Sequence, residues 1–170
     1  MFLNLLLSTA LIGSWKQDCL SGRVRFEYFS KDTVQYSEIY YNEVNCKTPS
    51  LVIEMNGNYQ VNNSEMDFQF TETFVTLKNA QVADNFNSRS VCGKSDWHLD
   101  VPRPVTGLNC DFFNWGRNYQ VPNSGDQRFG IWKVENDRLY FGLLTSINDA
   151  LHPSRRPNEW DPRFYVKIKE

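Results

Sequence analysis

The sequence predicts an all-β fold, an antiparallel barrel or half-barrel that carries one short helix. Three observations predict it. Apolar and polar residues alternate with period two along much of the chain, aromatic residues make up 15% of it, and turn-forming residues separate the apolar runs. Alternation places one face of a strand against a core and the other in water. Aromatic side chains suit pleated, half-buried surfaces. Roughly seven to nine short strands, divided by turns, fit a closed or nearly closed antiparallel sheet.

The elements follow in order. In residues 23–29, Val24, Phe26 and Tyr28 alternate with Arg23, Arg25 and Glu27, the pattern of a half-buried strand. Asp32 marks a turn, and residues 33–41 form the next strand, with Val34 and Tyr36 on one face and a phase shift near Ser37 and Glu38. Residues 50–55 place Leu51, Ile53 and Met55 on one face. Asn56-Gly57 then reads as a two-residue hairpin turn, because type I′ turns need positive φ. Residues 59–61 return from it. Met66, Phe68 and Phe70 alternate with Asp67 and Gln69, and residues 74–77 continue as a strand. Val82, Ala83 and Phe86 fall at helical spacing, so one short helix is expected over 78–86. Residues 87–126 are irregular and rich in Asn, Ser, Asp, Gly and Pro. Further strands are expected at 129–134, 139–144 and 164–168, with a turn at Asn136-Asp137 and a long loop over 146–163 that holds Pro153, Pro157 and Pro162.

A chain of 170 residues with 41% hydrophobic and 22% charged residues suits one folded domain with one sizeable core. A net charge of -2 offers no electrostatic reason for a nucleic-acid partner. The four cysteines, Cys19, Cys46, Cys92 and Cys110, include no CxxC, which favours two disulfides over a metal site or free thiols. Three pairings are open; neighbours in sequence favour Cys19–Cys46 and Cys92–Cys110. Residues 1–10, MFLNLLLSTA, resemble the end of a secretory signal peptide cleaved after Ala10, leaving 11–170 as the barrel domain. The alternative is that the apolar run packs as a first strand or short helix. Both the cysteines and this run point to a secreted, periplasmic or extracellular protein. No other apolar run approaches the ~20 residues that span a bilayer, so no transmembrane segment is expected.

Catalytic chemistry is sparse. His98 and His152 lie in separate irregular segments without a ligand partner at HxxxH spacing, and no GxSxG, P-loop or GxGxxG occurs. No catalytic residue, metal or cofactor is therefore expected. A hydrolase working through loop carboxylates is a lesser alternative, and convergence of Asp96, His98 and Asp100 on one pocket would mark it. The Ser154-Arg155-Arg156-Pro157 segment is basic, and Asn62-Asn63-Ser64 matches the N-glycosylation acceptor pattern. The aromatics on or beside the strands are the candidate ligand contacts: Trp15, Phe26, Tyr28, Tyr36, Tyr41, Phe68, Phe70 and Trp132. A small barrel can hold one apolar ligand against such walls. Trp115 and Trp160, in irregular segments, are the candidate anchors for a protein partner instead.

Several motifs occur in an ordered series. Gly13-x-Trp15 precedes Cys19, then come Tyr40-Tyr41, Cys46-x-x-Pro49, Gly57-x-Tyr59 and Ser64-Glu65. Cys92-Gly93, Trp97, Val105-Thr106, Cys110, Trp132-Lys133-Val134-Glu135 and the 153–157 proline segment follow. From Gly13 to about Tyr165 this series resembles one domain of the adenomatosis-polyposis-coli-down-regulated-1 proteins, which are membrane-tethered Wnt inhibitors. The spacing from Trp15 to Cys19 is one residue shorter than in that family, and Asn62-Asn63 stands where it has a glycine pair. The resemblance implies a lipocalin-like barrel that holds a lipid or another hydrophobic small molecule. It does not carry Wnt inhibition to a single domain without the family's anchor and additional cysteines.

Overall fold

The computed structural model describes residues 9–114, 116 and 118–169. Most of the expected signal segment, residues 1–8, and Trp115 lie outside the described residues. Within them the strands are β1 (Gly13–Gln17), β2 (Arg23–Phe29), β3 (Thr33–Tyr41), β4 (Pro49–Asn62) and β5 (Glu65–Leu77). After the helix α1 (Ala80–Ser88) come three two-residue strands, β6 (Arg103–Pro104), β7 (Asn109–Cys110) and β8 (Tyr119–Gln120). β9 (Gln127–Glu135), β10 (Arg138–Gly142) and β11 (Trp160–Lys167) complete the chain. The large sheet runs β4-β3-β2-β1-β11-β10-β9-β5, and β5 pairs back onto β4. Every pairing around this ring is antiparallel, so the sheet closes into an eight-stranded barrel, as the alternation predicts. Closure leaves no long edge strand among the described residues to template aggregation.

Two turn assignments differ in outcome. Asn136 and Asp137 both have positive φ and join β9 to β10 as a tight hairpin, as their residue types predict. Asn56-Gly57 is not a turn. β4 passes straight through it and turns at Asn63-Ser64, where Asn63 has φ 55°. Gly57 serves close packing: a Cβ there would sit 2.5 Å from the Phe68 ring. The register between β4 and β5 shifts beside it. That bulge moves the inward phase of β5 from Met66, Phe68 and Phe70 to Thr73, Val75 and Leu77, so one strand reads as two in sequence.

The helix begins two residues later than its apolar spacing suggests. The side chain of Asn79 caps it, accepting hydrogen bonds from the backbone N–H groups of Gln81 and Val82. β11 starts earlier than expected and runs through Pro162. β1 pairs with β11 only near Val166 and Lys167, and the β10–β11 register slips between Tyr140 and Gly142. The missing N–H of Pro162 therefore falls where the ladder is already interrupted.

Two apolar clusters close the barrel. At one end Leu11, Trp15, Phe29, Tyr59, Trp132 and Leu139 pack together. Trp15 is 1% exposed and donates its indole N–H to the Leu11 carbonyl at 2.7 Å, which ties the entering chain to the barrel floor. At the other end α1 and the irregular segment after it pack Phe86, Trp97, Phe112 and Val121 against Ile53, Val75 and Leu77. Both disulfides form in the favoured pairing, with Cα separations of 6.0 Å for Cys19–Cys46 and 4.3 Å for Cys92–Cys110. The first joins the β1–β2 connection to the β3–β4 connection. The second holds the irregular segment, which has little regular hydrogen bonding of its own.

Candidate ligand cavity

Strand register decides which side chains face the interior. Trp15, Glu27, Tyr36, Met55 and Thr73 oppose one another across β1 to β5, so they share one face. Trp15 and Thr73 are each 1% exposed, which makes that face the interior. The consequence in β2 reverses the sequence expectation. Arg23, Arg25 and Glu27 point inward with Phe29, while Phe26 and Tyr28 point outward. Tyr28 is 52% exposed, and Phe26 lies under the Lys16 ammonium on the outer wall, 5.9 Å from ring centroid to Nζ. Neither can line the interior.

The inward charges are partnered. The carboxylate of Glu38 on β3, 7% exposed, accepts from Arg25 Nε at 2.7 Å and lies 3.1 Å from Arg23 Nε. Its second oxygen accepts from the Tyr40 hydroxyl at 2.8 Å. Glu27 is 8% exposed beside Arg25 and Tyr165. Burial pushes its carboxyl up to about 8, against the weaker opposing pull of Arg25 and a hydrogen bond with Tyr165. Burial, reinforced by the Glu38 charge, raises the Tyr36 phenol well above its ordinary range. Burial likewise raises Tyr165, with Glu27 adding to it. Burial opposes the charge of Arg25, but Tyr36 and Glu38 more than offset it and the guanidinium stays protonated.

Two chambers flank this polar group. The inner chamber, about 340 Å³, is walled by Phe29, Met66, Phe68, Phe70, Ile131 and Phe141, with Glu27 and Tyr36 on one side. The outer chamber, about 400 Å³, lies between the barrel wall and the disulfide-tied segment. Glu38, Tyr40 and Thr73 line it together with Phe112 and Val121. Met55 and Tyr119 border both chambers. Arg128 reaches the inner chamber with its guanidinium over the Phe70 ring, 5.3 Å from the centroid.

Of the expected ligand contacts, Tyr36, Phe68 and Phe70 line the inner chamber. Trp15 and Trp132 face inward but are packed into the floor cluster and border neither chamber. Tyr41 follows the register slip in β3 and borders neither. Sequence reading missed Glu27, Glu38, Thr73 and Tyr119. The phase shift expected near Ser37 and Glu38 does not occur: β3 pairs without a slip as far as Tyr40, so Glu38 continues the inward face of Val34 and Tyr36.

The loop residues weighed for hydrolysis are placed apart from the chambers. Asp96 pairs with Arg103, Asp100 pairs with Lys78 at 2.7 Å, and neither borders a chamber. His152 caps the short 3-10 turn at Pro153–Arg155 by accepting from the Ser154 N–H. Arg156 donates to the carbonyl of Gly130 and to Asp67, pinning the β10–β11 connection over the barrel wall. The Asn62-Asn63-Ser64 segment is the exposed β4–β5 turn. No helix among the described residues is long and apolar enough to cross a membrane. No protein-family model matches the chain, and no curated protein does.

Proposed function

We propose that this chain is a secreted or periplasmic binding protein that holds a lipid or other apolar small molecule inside its barrel. The observation that carries this reading is the inner chamber of about 340 Å³ with its phenylalanine and methionine walls. Such walls lose little when they exchange contacts with water for contacts with a hydrocarbon. A barrel evolved only as a scaffold would be expected to fill that space with side chains. The two disulfides support an oxidising compartment. The resemblance to the adenomatosis-polyposis-coli-down-regulated-1 domain points the same way. Native mass spectrometry of mildly extracted protein tests the reading. The expected result is a co-purifying apolar molecule, released by mild denaturation. A chain that retains nothing and takes up no apolar probe would sink it.

The alternative is an extracytoplasmic interaction module. Trp160 favours it, being 38% exposed on the outer wall with the Lys133 ammonium over its ring. Under that reading Trp160→Ala would abolish capture of a protein partner without changing stability.

A further inference from the structure

One row of side chains divides the two chambers. Glu27, Tyr36, Met55 and Thr73 oppose one another across β2 to β5. Glu27 and Tyr36 border the inner chamber, Thr73 borders the outer one, and Met55 borders both. The polar members of the row therefore stand where the chambers adjoin. Thr73 is 1% exposed, and its hydroxyl has no hydrogen-bond partner among the described residues. A buried hydroxyl left unpaired is costly, so it calls for a partner from whatever fills the chamber beside it.

Charge on the outer wall narrows the choice of partner. Two carboxylates border the outer chamber, Glu38 and Asp111, and no Lys or Arg among the described residues does. An anionic head would face like charge there. A cationic head would find both carboxylates already engaged. Glu38 is held by Arg23 and Arg25, which border neither chamber, and Asp111 lies 3.6 Å from Arg89. A neutral hydroxyl meets neither obstacle. One hydroxyl can accept from Thr73. A second can donate to the Glu38 oxygen that accepts from the Tyr40 phenol, because a carboxylate oxygen has room for two donors. At about 400 Å³ the outer chamber far exceeds the room that one hydroxyl needs, so a head with several hydroxyls fits it.

We propose that the ligand is a neutral single-chain lipid with a polyol head, a monoacylglycerol being the simplest, its tail in the phenylalanine-lined inner chamber and its hydroxyls in the outer chamber at Thr73 and Glu38. The inference rests on the apolar-ligand reading above and adds the head group to it. The junction of tail and head passes Met55 and Tyr119, which border both chambers. The unbranched Met55 side chain can shift rotamer to admit it.

The test uses the full chain with monolaurin, methyl laurate, laurate and dodecylamine, which have tails of matched length and differ in the head, in competition against an environment-sensitive fluorophore. Monolaurin should bind at least about tenfold more tightly than any of the others. Thr73→Val keeps the shape of the side chain and removes its hydroxyl. It should lower monolaurin affinity about tenfold and leave methyl laurate unchanged, and Thr73→Ser should restore monolaurin binding. Equal binding of monolaurin and methyl laurate, or tighter binding of laurate or dodecylamine, overturns the head-group assignment and leaves the apolar-ligand reading standing. Uptake of none of the four overturns both. A Thr73→Val variant that binds monolaurin as the native protein does means that water satisfies the hydroxyl, and one that loses all four probes equally means that Thr73 only shapes the wall; either result overturns the assignment. Should Thr73→Val fail to fold, the ranking of the four probes decides the matter alone.

Discussion

Glu27 couples folding to pH in a direction opposite to that of most surface carboxylates. Its carboxyl moves from an ordinary value of 4.5 to about 8 because it is buried among Tyr36, Tyr165 and the barrel wall. The folded chain thus holds this proton more tightly than the unfolded chain does. Stability contributed by the neutral acid is fully present below pH 4.5 and is lost as pH rises to 8. Each tenfold step in proton concentration is worth about 1.4 kcal/mol, so the loss amounts to about 3 kcal/mol at pH 7 and about 5 kcal/mol above pH 8. Glu27→Gln keeps the shape and the hydrogen bond towards Tyr165 but cannot ionise. Urea denaturation followed by tryptophan fluorescence at a series of pH values should show the variant and the native protein nearly equal in acid, with the variant gaining steadily towards alkaline pH. A stability difference that does not change with pH would refute the reasoning, because it would mean that Glu27 is as well solvated in the folded barrel as in the unfolded chain.

Other perturbations test separate parts of the structure. Gly57→Ala places a Cβ 2.5 Å from the Phe68 ring, and the resulting overpacking should cost about 1–3 kcal/mol in the same urea assay. Phe68→Ala should weaken uptake of an apolar fluorophore several-fold, whereas Tyr28→Ala, on the outer wall, should leave it unchanged; equal losses would contradict the register. Replacing Cys19 and Cys46 together by alanine opens a loop of 27 positions and should lower the denaturation free energy by about 3 kcal/mol.

Much of the barrel was legible in the sequence because strand formation is local. Alternation in residues 23–29 and 66–70, and the Asn136-Asp137 turn, depend on neighbours close in the chain. So does the disulfide pairing, which followed sequence proximity. The Asn56-Gly57 turn failed because glycine has two uses, and here a ring packed from β5 required the missing Cβ while φ stayed ordinary. The candidate site was legible only in part. Tyr36, Phe68 and Phe70 line a chamber, but Phe26 and Tyr28 lie outside it for a reason that alternation cannot supply.

The sequence by itself determined that β2 has two unlike faces, one apolar and one charged, and that the chain would pair its strands antiparallel. Which face turns inward was decided only by tertiary structure. A charged face is stable inside a barrel when its charges meet partners, and those partners come from elsewhere in the chain: Glu38 and Tyr40 from β3, and Tyr165 from the last strand. The β2–β3 pairing sets Glu38 opposite Arg25 and Tyr40 opposite Arg23, and barrel closure adds Tyr165 from β11. Until these pairings form, Arg25 and Glu27 have the appearance of solvated residues, and the apolar face appears to be the one that must be buried.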